Sequence, residues 1–233
     1  MKLSLSLTFL VAISATNPAR AADRNYAIGD FESIFVSGPE TVTITTARAT
    51  TVRATGDAAS IDTLSVSVQD RTLRITPIIG NVSRDQKSRG PITLRITVPK
   101  LSDVRVIGSG SVQIADMRGL RGSIALIGSG TINLTRASVD TLVVRLTGAG
   151  TITAAGTGKQ ADIDVKGAGS ILAGALTVSD LKVTAASSGT IELTALRSAN
   201  IRASGAGLIT VSGPATCTTE NSGAGSVTCG RSR

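Results

Sequence analysis

Histidine and tryptophan are absent from this 233-residue chain, and it holds only two cysteines, one tyrosine and three phenylalanines. Without histidine there is no imidazole general base, no histidine-based triad and no histidine metal site. Two thiols do not furnish a tetrathiolate zinc or iron–sulfur site. Four aromatic rings leave little on which to stack sugars or bases. Acidic residues are also the minority, 16 against 24 Lys and Arg, for a formal charge of +8. No phosphate-binding Gly-Lys-Ser/Thr loop is present, and no calcium-binding nonapeptide repeat.

The one long apolar run is at the start. Met1-Lys2 is followed by the run Leu3 to Ala15, broken by Asn17-Pro18, and Ala19-Arg20-Ala21 satisfies the small-x-small rule. Residues 1–21 are expected to be a secretory signal peptide cleaved after Ala21. The run is short for a bilayer span, and no cysteine follows it for lipid attachment. Losing Lys2 and Arg20 lowers the charge from +8 to +6. A charge of +6 over a long surface is expected first to aid solubility; as a binding charge on an exported chain it would suit anionic lipid or acidic polysaccharide rather than nucleic acid.

What the chain has in abundance is glycine, in register. Gly-x-Gly recurs as Gly108 with Gly110, Gly128 with Gly130, Gly148 with Gly150, Gly167 with Gly169, Gly205 with Gly207 and Gly223 with Gly225. Ser187-Ser188-Gly189 fills the gap. Successive starts lie 20, 20, 19, 20, 18 and 18 residues apart. Around each pair apolar residues alternate, as in Ile124, Leu126, Gly128, Gly130, Ile132 and Leu134. Period two means extended strands with one buried face. Glycines on the inward parity mark a tight turn or a close approach of the chain to itself. One such unit every ~20 residues predicts an all-β fold, a single-stranded parallel β-helix (β-solenoid) expected to be right-handed. Residues 22–233 are expected to form one solenoid domain. Within it, 22–100 would supply an N-terminal cap with less regular coils, and 101–229 the regular ones.

The N-terminal part reads as strands around Ile34, Val42, Leu64 to Val68, Leu73 and Leu94 to Val98, with a hairpin turn at Gln69-Asp70-Arg71-Thr72. Gly38-Pro39 and Pro99 read as strand ends. Tyr26, Phe31 and Phe35 are expected to close the apolar end of the stack. Gly80 to Gly90 reads as a loop carrying Arg84, Asp85, Lys87 and Arg89. Cys217 and Cys229 flank the last glycine pair on the inward parity. In an oxidising compartment a disulfide across the terminal coil is expected.

Outward positions of a stacked solenoid form columns. One runs Arg105, Ala125, Arg145, Asp164, Thr184, Arg202, Glu220 and mixes signs. Another runs Ser111, Thr131, Thr151, Ser170, Thr190, Leu208, Ser226. An ice-binding face is disfavoured there, because Leu172 and Glu192 interrupt the adjacent column. Asp162 and Asp164 share an outward parity, as the acids of a polysaccharide-processing β-helix enzyme would. No catalytic, cofactor-binding or metal-ligating constellation emerges, and no cofactor is expected.

Phe31-Glu32-Ser33-Ile34, Val42-Thr43-Ile44, Leu64 to Ile75, Ile96-Thr97-Val98-Pro99-Lys100-Leu101 and the serial Gly-Ser-Gly and Gly-Ala-Gly units together resemble the bacterial "putative auto-transporter adhesin, head GIN domain" family. The resemblance spans residues 28 to 229. It implies a secreted or surface-associated β-solenoid with an adhesive role and no catalytic residues to carry over. The sequence shows no translocator barrel, which favours the periplasm. Three functions are weighed: a noncatalytic module binding an envelope or extracellular polysaccharide or protein; a polysaccharide-processing enzyme using Asp162 and Asp164; and a structural protein that self-associates end to end.

Overall fold

The computed structural model describes residues 21–78 and 90–230. The leader expected over 1–21 lies outside the described residues except for Ala21. So do Arg84, Asp85, Lys87 and Arg89.

Alternating β-branched residues make strands, and the repeat stacks them in parallel. Each coil has an entry strand leading into the Gly-x-Gly corner, an exit strand leaving it, and a short third side that returns to the next entry strand. In the first regular coil these are β8 (Asp103–Gly108) and β9 (Ser111–Ile114). β10 (Met117–Gly128), β11 (Thr131–Gly148), β12 (Thr151–Gly167), β13 (Ser170–Ser187) and β14 (Thr190–Ala203) run through two or three sides at once. β15 (Leu208–Ser212), β16 (Thr216–Asn221) and β17 (Ser226–Cys229) complete the stack. All pairings from β8 onward are parallel, and the entry strands hold one register, for example Ile124 beside Val144, Ile163, Val183 and Ile201. That column is fully buried. Each such side chain contributes roughly 1.5–3 kcal/mol relative to exposure. The all-β parallel solenoid expected from the period of two is the fold observed.

The corner sets the stack height. Gly108, Gly128, Gly148 and Gly167 have φ of +115°, +126°, +121° and +111°, a region costly for any residue with a Cβ. The carbonyl of Gly128 accepts two N–H donors from the corner above, Ala149 at 3.0 Å and Gly150 at 3.0 Å, and Gly148 does the same for Ala168 and Gly169 at 2.9 Å. A Cβ on the second glycine would meet the corner below; on Gly150 it would fall 2.6 Å from the Gly130 carbonyl oxygen. Where serine replaces the first glycine, Ser187 is buried and its Oγ donates to the Gly169 carbonyl at 3.3 Å and accepts from Gly189 N–H at 3.0 Å. The 18- to 20-residue variation is absorbed elsewhere. Register shifts fall at bends such as Leu134/Ala137 and Ala173/Thr177 beyond the exit strands.

The later corners correct the expectation that every glycine pair is alike and faces inward. From Ser187 onward the first corner residue, Ser187, Gly205 or Gly223, has no positive φ. The bend changes with it. The second glycines Gly189, Gly207 and Gly225 are half-buried, whereas Gly110, Gly130, Gly150 and Gly169 are buried. Close approach still demands glycine there. Gly207 N–H donates to the Ser187 carbonyl at 2.9 Å, and Gly225 N–H to the Gly205 carbonyl at 3.0 Å. A Cβ on Gly207 would collide with the carbonyl oxygen of Gly189, and one on Gly225 with that of Gly207.

The N-terminal segment joins the same stack. β2 (Ser33–Ser37) pairs in parallel with β8 and with β6 (Thr72–Pro77). β3 (Thr41–Thr46) pairs in parallel with β9 and with β7 (Thr93–Val98). Gly38-Pro39-Glu40 between β2 and β3 is therefore a coil corner, not a mere strand end. A Cβ on Gly110 would come 2.8 Å from the Glu40 carbonyl oxygen. The repeat is hidden there because the corner has one glycine, with Glu40 in place of the second.

Antiparallel strands finish this end. β4 (Thr51–Asp57) runs against β7, β1 (Ala21–Tyr26) against β4, and β5 (Leu64–Gln69) against β6. The β5–β6 turn has Asp70 and Arg71 both at positive φ, 50° and 56°, the geometry whose twist matches a two-residue hairpin. A single helical turn, α1 (Ala58–Ile61), is capped by Asp57, which accepts from Ser60 N–H at 3.1 Å. Phe31 is buried in the core. Phe35 corrects the expectation for the aromatics: Ile34 and Val36 point inward, so Phe35 lies on the outer face.

At the other end Cys217 and Cys229 are joined, with Cα atoms 6.4 Å apart, in register with Ala199 and Val211 of the core columns.

Three stability outcomes are expected. Gly148→Ala should cost roughly 2–4 kcal/mol through its backbone conformation and the clash with the corner below. Gly174→Ala, which meets no atom within 4 Å, should change stability by no more than about 0.5 kcal/mol. Urea unfolding of the two variants measures the contrast. Cys217→Ser with Cys229→Ser should cost roughly 2–3 kcal/mol, with hydrogen exchange rising first in β16 and β17.

Candidate functional site

The fixed register turns outward residues into straight columns on two long faces. The entry face runs β5, β6, β2, β8, then through β10 to β14 to β16. Its central column begins earlier than the sequence reading placed it: Arg74, Phe35, Arg105, Ala125, Arg145, Asp164, Thr184, Arg202, Glu220. The two added residues change its character. The Arg74 guanidinium lies 4.8 Å over the Phe35 ring, a cation–π contact. Arg74, Arg105 and Arg145 are exposed, and none has an ion-pair partner among the described residues. The far half is self-neutralised, with Arg202 to Glu220 at 2.9 Å and Lys166 to Asp164 at 4.0 Å. The mixed sign noted in sequence thus resolves into a cationic half and a paired half.

The exit face is wider, running β1, β4, β7, β3, β9, then through β11 to β14 to β15 and β17. Its hydroxyl column extends beyond Ser111 to Thr41 and Thr93. Thr131 and Ser111 hydroxyls are 3.0 Å apart. Leu208 is exposed within this column, and Leu172 is exposed in the adjacent one.

Asp162 lies beside Val143 and Lys182, and Asp164 beside Arg145 and Thr184. Both are on the entry face. No group of three or more metal-competent side chains gathers among the described residues. Asp116 is buried at the bend after β9, where it accepts from Thr46 Oγ1 at 3.2 Å and pairs with Arg118 at 2.6 Å. Both contacts are to Oδ2; Oδ1 is buried with no hydrogen-bond partner among the described residues, and the open cleft of about 460 Å³ beside it also carries Arg48 and Lys100.

The site that sequence reasoning missed is Glu40. It is 6% exposed, and its Oε2 has no hydrogen-bond partner among the described residues. Burial pushes its carboxyl above the ordinary carboxylate value. It borders a cavity of about 470 Å³ lined by Pro39, Thr41, Ser60, Thr63, Leu64, Pro77 and Gly90 to Ile92. The sequence signal was available: a glutamate at the place where later coils keep glycine.

These features define a class: a parallel β-solenoid that presents rigid, ordered faces. The chain belongs to the family described as "Putative auto-transporter adhesin, head GIN domain", whose profile matches residues 30–215. Among curated proteins none matches. Solved structures share the fold. A "putative adhesin" from Bacteroides fragilis superposes with a TM-score of 0.79 at 23% identity, covering 91% of this chain and 97% of that one. A "Putative lipid binding protein" from Parabacteroides distasonis gives 0.70 at 24%, covering 90% and 96%. A "putative adhesin" from Parabacteroides merdae gives 0.59 at 18%, covering 90% and 96%. At such identities the likeness is one of fold.

Because the folded-state value of Glu40 is raised, its contribution to stability is full below its unfolded-state value and is lost as pH rises through the folded one. Glu40→Gln should remove that part of the decline. Thermal unfolding midpoints of both proteins from acid to neutral pH test this. Parallel pH curves for the two would count against an uncompensated carboxylate at this corner.

Proposed function

We propose that this chain is an exported, noncatalytic adhesin-type module whose entry face holds an acidic polysaccharide of the envelope or the extracellular space. The observation that carries this reading is the cationic half of the entry column, Arg74 over Phe35, then Arg105 and Arg145. Guanidinium groups fork onto carboxylates and sulfates. Adjacent strands are ~4.8 Å apart, so Arg105 and Arg145 stand roughly 9–10 Å apart at their backbones. That spacing lets the two guanidiniums meet every second carboxylate of a polymer charged on each sugar. The stack is rigid, so little ordering entropy is lost when a chain lies along it.

The family's adhesin description supports binding over catalysis. The enzyme alternative would rest on Asp162 and Asp164, and no third acid joins them among the described residues. Export would follow from the leader, with the mature chain starting at Ala22 and acting in the periplasm or at the surface. Residues 22–100 would start the stack and 101–229 would extend it, as one unit. Among the described residues no helix is long and apolar enough to cross a membrane.

Immobilised protein should retain alginate, release it as salt rises past the screening range of ~0.15 M, and ignore neutral dextran. Arg105→Glu combined with Arg145→Glu should weaken alginate binding at least about tenfold at low salt. Equal retention of dextran, or unchanged binding by the double variant, would reject the reading.

A further inference from the structure

The short third side of the stack has an open edge where the regular coils begin. The stretch from Met117 to Gly122 pairs in parallel with the stretch from Ala137 to Leu142 on one flank. Its other flank pairs with no strand among the described residues, because β10 meets β8 only from Ser123 onward. The open cleft of about 460 Å³ lies beside this edge and carries Arg48 from the turn after β3, Lys100 from the segment after β7, and Arg118. None of these residues adjoins in sequence a segment outside the described residues.

Leu120 is the second part of the case. At 80% exposure it is the most exposed large apolar side chain among the described residues. Gly119 stands beside Val139 and Arg121 beside Thr141, which sets Leu120 opposite Asp140. One coil further the same outward position is Lys159, and Asp140 and Lys159 pair at 3.0 Å. The next two coils thus keep charged groups here, and the fold does not need a leucine. Around Leu120 the charge is positive. Arg118 and Arg121 flank it on the same strand, and Arg136 is exposed at the bend of the next coil. Arg118 pairs with Asp116 at 2.6 Å yet keeps 65% of its side chain exposed. Lys100 shares Glu32 with Arg71. Asp30, bonded to the Thr50 hydroxyl, stands beyond Arg48 on the turn. Arg48, Arg121 and Arg136 have no ion-pair partner among the described residues.

We infer that this edge of the third side docks on an anionic lipid bilayer, with Leu120 entering the hydrocarbon boundary and Arg48, Lys100, Arg118, Arg121 and Arg136 meeting the headgroup phosphates. An apolar tip ringed by cations matches the interface, where hydrocarbon lies directly beneath negative charge. An acidic polysaccharide would satisfy the arginines and leave Leu120 in water. A neutral bilayer would take Leu120 and leave the arginines without counter-charge. Guanidinium groups fork onto phosphate oxygens, and the unpaired backbone N–H groups of the open edge can donate to the same oxygens. A bilayer under the narrow third side leaves both long faces free. No residue of the cationic entry column belongs to this patch, and the inference stands apart from the polysaccharide reading.

Vesicle flotation of the full mature chain tests it. Vesicles of phosphatidylcholine with about one-third phosphatidylglycerol should carry the protein at least about tenfold better than phosphatidylcholine alone, and release it at ~0.5 M salt. Arg121→Glu combined with Arg136→Glu should weaken binding at least about tenfold, and Leu120→Ser about threefold. Arg105→Gln combined with Arg145→Gln, on the entry face, should stay within about twofold of the wild type. Thermal unfolding confirms that the variants fold. The chain has no tryptophan, so Leu120→Trp supplies a single reporter. Its emission should shift to the blue on the anionic vesicles and be quenched by brominated acyl chains, and Leu172→Trp, on the exit face, should show neither effect. Equal flotation with phosphatidylcholine alone, wild-type binding by the folded Arg121→Glu, Arg136→Glu or Leu120→Ser variants, and an unshifted Leu120→Trp emission would each overturn the inference. So would a larger loss from the entry-face variant, or no flotation with either vesicle.

Discussion

Everything in this molecule depends on how closely one peptide corner rests on the next. A carbonyl such as that of Gly128 accepts two N–H donors from the corner above, and no side-chain carbon can be interposed at that distance. The glycines are thus a consequence of hydrogen-bond geometry rather than of flexibility. With the corner fixed, the flanking strands have one register available. A slip by one residue would turn Ile132 or Val144 outward and bury polar neighbours. The bends beyond the exit strands carry no such constraint, and there the chain gains and loses residues between coils.

A fixed register makes the outer surface an array. Side chains at equivalent positions stand one strand spacing apart, so the charge of a face is decided by a short list of positions. The entry face divides along its length into a cationic half near the N-terminal end and a half neutralised by its own pairs. Each exposed pair is worth ~0–1 kcal/mol to stability. Their larger effect is to leave Arg74, Arg105 and Arg145 as the unpaired guanidiniums of the entry column among the described residues. The ends of the array are finished differently from its sides. Antiparallel β1 and β5 take up the pairing positions at one end. At the other, β16 exposes Thr218, Thr219, Glu220 and Asn221, polar groups on an edge strand that oppose further stacking.

The regular coils were legible because their two signals coincide: apolar alternation and a glycine pair returning every ~20 residues. The columns Arg105 to Glu220 and Ser111 to Ser226 follow from that register alone. The change of bend after Ser187 was not legible, because Gly205-Ala206-Gly207 and Gly223-Ala224-Gly225 spell the same motif as the earlier corners. The N-terminal coils were less legible for a local reason. At Gly38-Pro39-Glu40 one glycine does the work of two, and the corner between β6 and β7 has become a long connection. Strand alternation survived there, but the marker that would have aligned it did not. Phe35 was misplaced in consequence. Without the alignment of β2 to β8, its parity against Ile34 and Val36 outweighed nothing, and an aromatic ring was assigned to the core by type. Glu40 was passed over because a lone glutamate near a Pro reads as solvated until its stacking partner is known.

The same reasoning explains why the interior of the stack is filled along its length. The interior columns are filled by Val, Ile, Leu and Ala, and truncating a large side chain there would forfeit roughly 2–5 kcal/mol. The sides are hydrogen-bonded sheets that admit no gap. Glu40 stands where the next corners keep glycine, and its carboxyl is buried in a corner whose geometry does not require it.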